Sequence, residues 1–282
     1  MTAVLTIAGY ALREALRRRV FAVLLVLTVL FLALFWLGAR QAFAHPPDLP
    51  PVGLDATEFA GAIVLGLGMF AILFLGSVLA VFLTLGAVRG DAERGLLQPL
   101  VTRPVSRTKL LLARLLGAAF VCVPYVAVVN ALAIVIVGRS GGWWPDRLVT
   151  PVLELSAAVL ILAALSLLGS VFLSATANGI AVFMLFGAGL VAGLLGQIAE
   201  VVNSHTLSQI SKITAWALPF EALYQDALNR ITADASGLTE FALDLGPFGG
   251  GRPGGSLLPL YALAYLVVVL GVAAWGFNRR DL

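Results

Sequence analysis

Six apolar runs, each close to the length of a bilayer crossing and none carrying a charge, decide what this chain can fold into. They lie at about Val20 to Gly38, Phe59 to Val88, Leu115 to Gly138, Leu155 to Leu173, Gly179 to Ile198 and Leu257 to Phe277. About 20 apolar residues make a helix that crosses roughly 30 Å of hydrocarbon. With 60% hydrophobic and 12% charged residues, the chain also has too little polar surface to coat a soluble globule. A transmembrane β-barrel would alternate apolar and polar residues in segments of about ten, whereas these runs are long and apolar on every side. The expected fold class is an all-α integral membrane protein, six transmembrane helices in a single domain over residues 1–282.

The positions of the charges orient the spans. With the N-terminus in the cytoplasm, only Arg40, Arg139, Arg147, Lys212, Arg230 and Arg252 fall in outer segments, so twelve of the 18 Lys and Arg residues are inside although the outer loops are longer. That bias is the positive-inside signature, and it predicts that both termini are cytoplasmic. A basic membrane edge follows from this topology, and nucleic-acid binding is not expected. Ahead of the first run, Leu5, Ala8, Leu12 and Leu16 recur at helical spacing while Arg13 and Arg17 stand one turn apart on another face. This is the pattern of an N-terminal amphipathic interfacial helix over residues 1–19. The run after Arg17-Arg18-Arg19 exceeds a signal-peptide core, so an uncleaved anchor is expected.

His45-Pro46-Pro47-Asp48-Leu49-Pro50-Pro51 cannot be helical and reads as an outer loop. The second run, roughly 30 residues or about 45 Å as a helix, must tilt, break or project from the hydrocarbon. In the third run Pro124 predicts a kink facing the bundle, and Asn130 either lines a path or bonds an adjacent helix. Trp143 and Trp144 are expected at the outer interface. Ser174 to Asn178 is so short a link that the fourth and fifth runs must form an antiparallel pair. Gly189-x-x-x-Gly193 admits close approach by another helix, from a second subunit or from the same one.

Residues 199–256 are too long and too patterned for a passive connector. Pro219 suits a first helical position, Glu221 suits the first turn, and Phe220, Leu223, Ala227, Leu228 and Ile231 make an apolar face. Asp226 and Arg230 are spaced for an i,i+4 pair. At about a dozen residues this outer helix cannot span, so it lies on the surface or dips in and out. Gly246 to Ser256 reads as a flexible linker.

No catalytic constellation is present. His45 and His205, the two histidines, stand in outer loops without cysteine or carboxylate at metal-ligand spacing, and no G-x-S-x-G elbow occurs. Gly249 to Gly254 has the glycine spacing of a phosphate loop, but Gly255 stands where lysine is required. No metal, cofactor or enzymatic activity is therefore expected on this chain. Cys122, the single cysteine, falls in the third run as a small packing residue. The charges fall at span ends rather than inside, where ion-coupled transporters keep them, so an external energy source is implied.

One polar stretch, Arg89 to Lys109, is set between two long apolar runs, and hydrocarbon could not solvate its charges. Asp91 and Glu93 suit a helix start, Gly95 a joint, and Pro104 followed by Ser106 a fresh cap. Two short helical pieces with a bend can transmit force from a soluble partner. Asp91-x-Glu93-Arg94-Gly95-x-Leu97-x-x-Leu100-x-x-x-Pro104-Val105-Ser106-Arg107 resembles the loop between the second and third spans in membrane subunits of type 2 ABC (ATP-binding cassette) exporters. Leu218-Pro219-Phe220-Glu221-Ala222-Leu223-Tyr224 and Phe277-x-Arg279-Arg280-Asp281-Leu282 are similar to that family as well, so the resemblance covers essentially the whole chain.

The resemblance implies a permease that forms a translocation path and is driven by a separate ATPase subunit. It implies a coupling helix from Glu93 to Leu100 within the cytoplasmic region 89–109, seated in a groove of the ATPase. Asp91, Glu93, Arg94, Gly95, Leu96, Leu97, Leu100, Pro104, Ser106 and Arg107 are the residues expected at that interface. It also implies an outer re-entrant helical hairpin around Pro219 to Arg230, within 199–256, whose Pro219, Phe220, Glu221 and Tyr224 gate the exit; Asn130 is the candidate from the third span for the same path, and Gly189 and Gly193 are the candidates for subunit packing. The implied partners are two ABC ATPase subunits, which would hold ATP and magnesium, a second permease chain, identical or homologous, and the lipid bilayer of the cell membrane. The alternative is a membrane scaffold that carries ATPase force to an outer partner without passing a substrate.

Overall fold

Apolar runs of this length can satisfy their backbone only as helices, and each forms one in the computed structural model of the protein. The structure describes residues 19–45, 56–85, 106–145, 147–231 and 251–279. Among these residues there are eight helices and no strand: α1 (Arg19–Ala44), α2 (Ala56–Thr84), α3 (Arg107–Gly141), α4 (Val149–Phe172), α5 (Ala175–Val202), α6 (His205–Ala217), α7 (Pro219–Ile231) and α8 (Leu258–Asn278). Six are long and apolar enough to cross a membrane, with mean hydropathies from 2.1 to 2.7; α6 and α7 are not. The interfacial helix expected over 1–19 falls, apart from Arg19 at the start of α1, outside the described residues, and so does the stretch 86–105.

The hydrophobic runs locate the helices but not their ends. α3 starts at Arg107 rather than Leu115 and α4 at Val149 rather than Leu155, because a helix continues past hydrocarbon until the backbone is broken. α2 runs unbroken for 29 residues. α3 continues through Pro124 for 35 residues. Contrary to expectation, Pro124 lies on the exposed side of α3, where its apolar ring can face lipid, while Tyr125 and Asn130 face inward. Gly142 closes α3 in the left-handed region, with a φ of 73°, and donates to the Gly138 carbonyl.

Contacts define two ends of the bundle. At one, the ring of Phe43 in the last turn of α1 occupies the place of a Cβ on Gly141, and Trp143 covers Gly61 of α2. At the other, Arg107 of α3 meets Phe277 of α8, and Asn178 of α5 meets Leu85 just past α2. The α6–α7 pair enters from the first, the hairpin end; the connection 86–105 leaves from the second, the connection end. α4 is the central helix, packed against α2, α3, α5, α7 and α8. α1 is peripheral, with most of its large apolar residues exposed, and is tied to α3 by a 2.7 Å bond between the Thr28 and Tyr125 hydroxyls.

Candidate functional site

The hairpin is built from two helices of 13 residues, each about 20 Å long, too short to cross. Ser204 caps α6 by accepting from the Leu207 amide at 3.5 Å, and Leu218 alone separates α6 from α7. Ten of the 13 residues of α7 are buried, including the whole expected apolar face and also Glu221, Tyr224, Gln225 and Asp226. α7 therefore does not lie on a surface. It is enclosed by α2, α4, α5, α6 and α8.

Its depth follows from its aromatic contacts. Phe220 stacks on Phe186 of α5, centroids 5.7 Å apart and planes within 14°, and Phe186 meets Phe74 of α2 at 6.0 Å. Phe186 is about 17 Å along α5 from its start, near the midplane of a bilayer. The hairpin is thus re-entrant. At its tip, the hydroxyls of Tyr261 and Tyr265 on α8 donate to the carbonyls of Trp216 and Ala217, the latter at 2.9 Å.

The glycines of α5 make the seat for α7. A Cβ on Gly189 would lie 2.4 Å from Phe220 Cζ, and one on Gly193 would lie 2.0 Å from Glu221 Oε1. Of the two possibilities left by the Gly189-x-x-x-Gly193 spacing, the fold shows the intramolecular one, with α7 of the same chain in the notch.

Two polar clusters hold the hairpin from the side. Arg230 Nε lies 2.7 Å from Glu154 Oε1 of α4, and Arg230 Nη2 lies 2.9 Å from Asp226 Oδ2. Asp226 Oδ1 in turn accepts from the Gly254 amide at 2.8 Å, and Asn229 Nδ2 donates to the Gly251 carbonyl at 3.0 Å. Residues 251–256, expected to be a flexible linker, are therefore bound to α7. Gly251 is needed for closeness, since a Cβ there would sit 2.0 Å from the Gln225 carbonyl.

The second cluster joins Glu221 and Gln225 to Arg252, whose Nη1 donates to Ser211 Oγ of α6 at 3.4 Å. Burial pushes the Glu221 carboxyl up to about 7, against the opposing pull of a Gln225 hydrogen bond and the Arg252 charge. Tyr224 is also raised by burial. Glu221 Oε1, Gln225 Oε1 and Tyr224 Oη have no hydrogen-bond partner among the described residues. Three such acceptors on one enclosed helix call for a further partner, whether ordered water, cargo or a second arrangement of the helix.

Of the sequence-predicted residues, Pro219, Phe220, Glu221 and Tyr224 come together on α7. Asn130 does not join them: it is buried in α3, which is not a main packing neighbour of α7, and its Nδ2 bonds no described residue, so the expected bond to an adjacent helix is not formed through that donor. Ser106 stands at the N-cap of α3 but makes no side-chain capping bond. Arg107 points back into the bundle, donating to the Phe277 carbonyl at 2.5 Å with its guanidinium 5.3 Å over the Phe277 ring. Asp91, Glu93, Arg94, Gly95, Leu96, Leu97, Leu100 and Pro104 lie outside the described residues. Among the described residues no three His, Cys, Asp or Glu gather as metal ligands would.

A family model described as ABC-2 family transporter protein matches residues 5–282. The chain belongs to the ABC-2 transporter family. No curated protein matches it. As an ABC-2 chain it is the multi-pass membrane (permease) subunit of an ABC transporter, a kind of protein that works with ABC ATPase partners. In this ABC-2 permease the residues that sequence reasoning missed are Glu154, Asn178 and Arg252, each of which meets its partner from a distant part of the chain. The lone acidic residue Glu154 beside an otherwise apolar run was the available signal.

Proposed function

We propose that this chain is the permease of an ATP-driven exporter, in which paired ATPase subunits bind the stretch 89–109 of two permease chains and tip the helices between inward- and outward-facing arrangements. In this reading the chain binds no nucleotide, ATP and magnesium stay on the ATPase, the termini are cytoplasmic, and the membrane is the cell membrane. The observation that carries it is the separation of two polar features: the charged stretch joins α2 and α3 at one end of the bundle, and a re-entrant hairpin with unsatisfied buried oxygens enters at the other. An open apolar groove of about 640 Å³ between α2 and α5, lined by Phe82, Ile180, Phe183 and Met184 among others, offers a surface for hydrophobic cargo.

The test is purification of the chain in mild detergent. A soluble protein with Walker sequences is expected to accompany it and to be lost on replacing Glu93, Arg94 and Leu97 by alanine. Replacing Glu93 and Arg94 alone is expected to leave the fold intact while uncoupling ATPase activity from transport. Unchanged transport in that double variant would remove the coupling assignment, and an ATPase that associates and works without any cargo moving would favour the scaffold.

A further inference from the structure

Asn178 stands in the first turn of α5 and is fully buried. Its side-chain amide donates to carbonyls on two other helical segments, Ser166 of α4 at 2.8 Å and Leu85 at the end of α2 at 3.2 Å. Leu85 follows the last residue of α2, where a helix leaves carbonyls it cannot satisfy itself. On the far side, Gly169 of α4 is bare because Asn178 Oδ1 lies 2.0 Å from the place its Cβ would take. That oxygen has no partner among the described residues, so the side chain is held for its donors rather than for its own satisfaction.

The bonds therefore join three helices at the point where the chain leaves α2 for residues 86–105. Packed apolar surfaces can slide past one another, whereas a hydrogen bond fixes both distance and direction. We propose that Asn178 is a positioning residue that locks the end of α2 to the α4–α5 turn, so that displacement of the 86–105 connection is delivered to α5 and through its glycine seat to the hairpin. This rests on the reading above that the connection takes up the stroke of the ATPase.

Spin labels at Leu67 and Ala177, exposed positions on α2 and at the start of α5 away from the groove between those helices, report the lock by pulsed electron resonance in the detergent complex with its ATPase, in a Cys122→Ala background. The wild-type pair is expected to hold one distance in the nucleotide-free state and after trapping with ADP and vanadate. In Asn178→Leu, close in volume but unable to donate, the distance is expected to shift or broaden on trapping. Gly169→Ala, whose Cβ displaces the same amide without altering α2 or α5, is expected to do likewise and keeps the test open if the first variant does not fold. An unchanged distance in both variants, or a wild-type pair that already moves, overturns the proposal. If no ATPase accompanies the wild-type chain, the coupling reading fails and takes the proposal with it, a result seen in the purification and not in the labels.

Discussion

Arg230 is the cation shared by Glu154 and Asp226, and its loss would leave two carboxylates facing each other inside the bundle. Arg230→Met is expected to lower stability by about 1–3 kcal/mol, less than a fully buried pair would because 26% of the arginine side chain is exposed. Adding Glu154→Gln should recover part of the loss, and thermal unfolding of both variants in detergent checks this. Glu221 gives a pH dependence of known sign. Its folded value of about 7 lies above the 4.5 of a free carboxyl, so the folded state holds the proton where the unfolded state has lost it. The contribution of Glu221 to stability is then fully present below about pH 4.5 and is lost as pH rises through about 7, a slope that Glu221→Gln should flatten. The Asp226–Arg230 pair was legible because four residues on a helix put both side chains on one face. Glu154 was not, since only folding brings α4 to α7.

The seat of α7 on α5 makes a prediction for whole elements. Gly189→Ala would drive a methyl into the Phe220 ring and is expected to cost about 1–3 kcal/mol, with Phe220→Leu in the same chain recovering part of it; thermal midpoints compare the three. α7 could be read from its apolar face and its proline start, and it is there between Pro219 and Ile231. α6 was expected only as the unnamed second arm of the hairpin that the resemblance implies; its Ile210, Ile213 and Trp216 are exposed and do not face the bundle. Hydropathy placed the six spans but not the starts of α3 and α4, whose first residues include polar and charged side chains that a hydrophobic window rejects and a helix tolerates. Asn178 was assigned to the connection between two runs, yet it sits inside α5, because two residues suffice for that turn.

For the molecule as a whole, the excess of Lys and Arg in the inner segments predicts its orientation. With Cys122, buried in the core, replaced by alanine, a single cysteine at Thr206 should react with an impermeant maleimide on intact cells. One at Thr108 should react only after permeabilisation, and the reverse pattern would invert the bundle. All-α class and span number were readable because length and hydropathy determine them, and the re-entrant hairpin was implied by the resemblance; what seats it was not legible, since that depends on glycines of α5 meeting residues of α7. That dependence also bears on assembly. α7 is too short to insert as a span, and the Asp226–Arg230 pair and Glu221 complete their partner sets only against Glu154 of α4 and residues 252–254. The contacts that hold the hairpin can therefore be complete only once α4, α5 and the chain leading into α8 are all present.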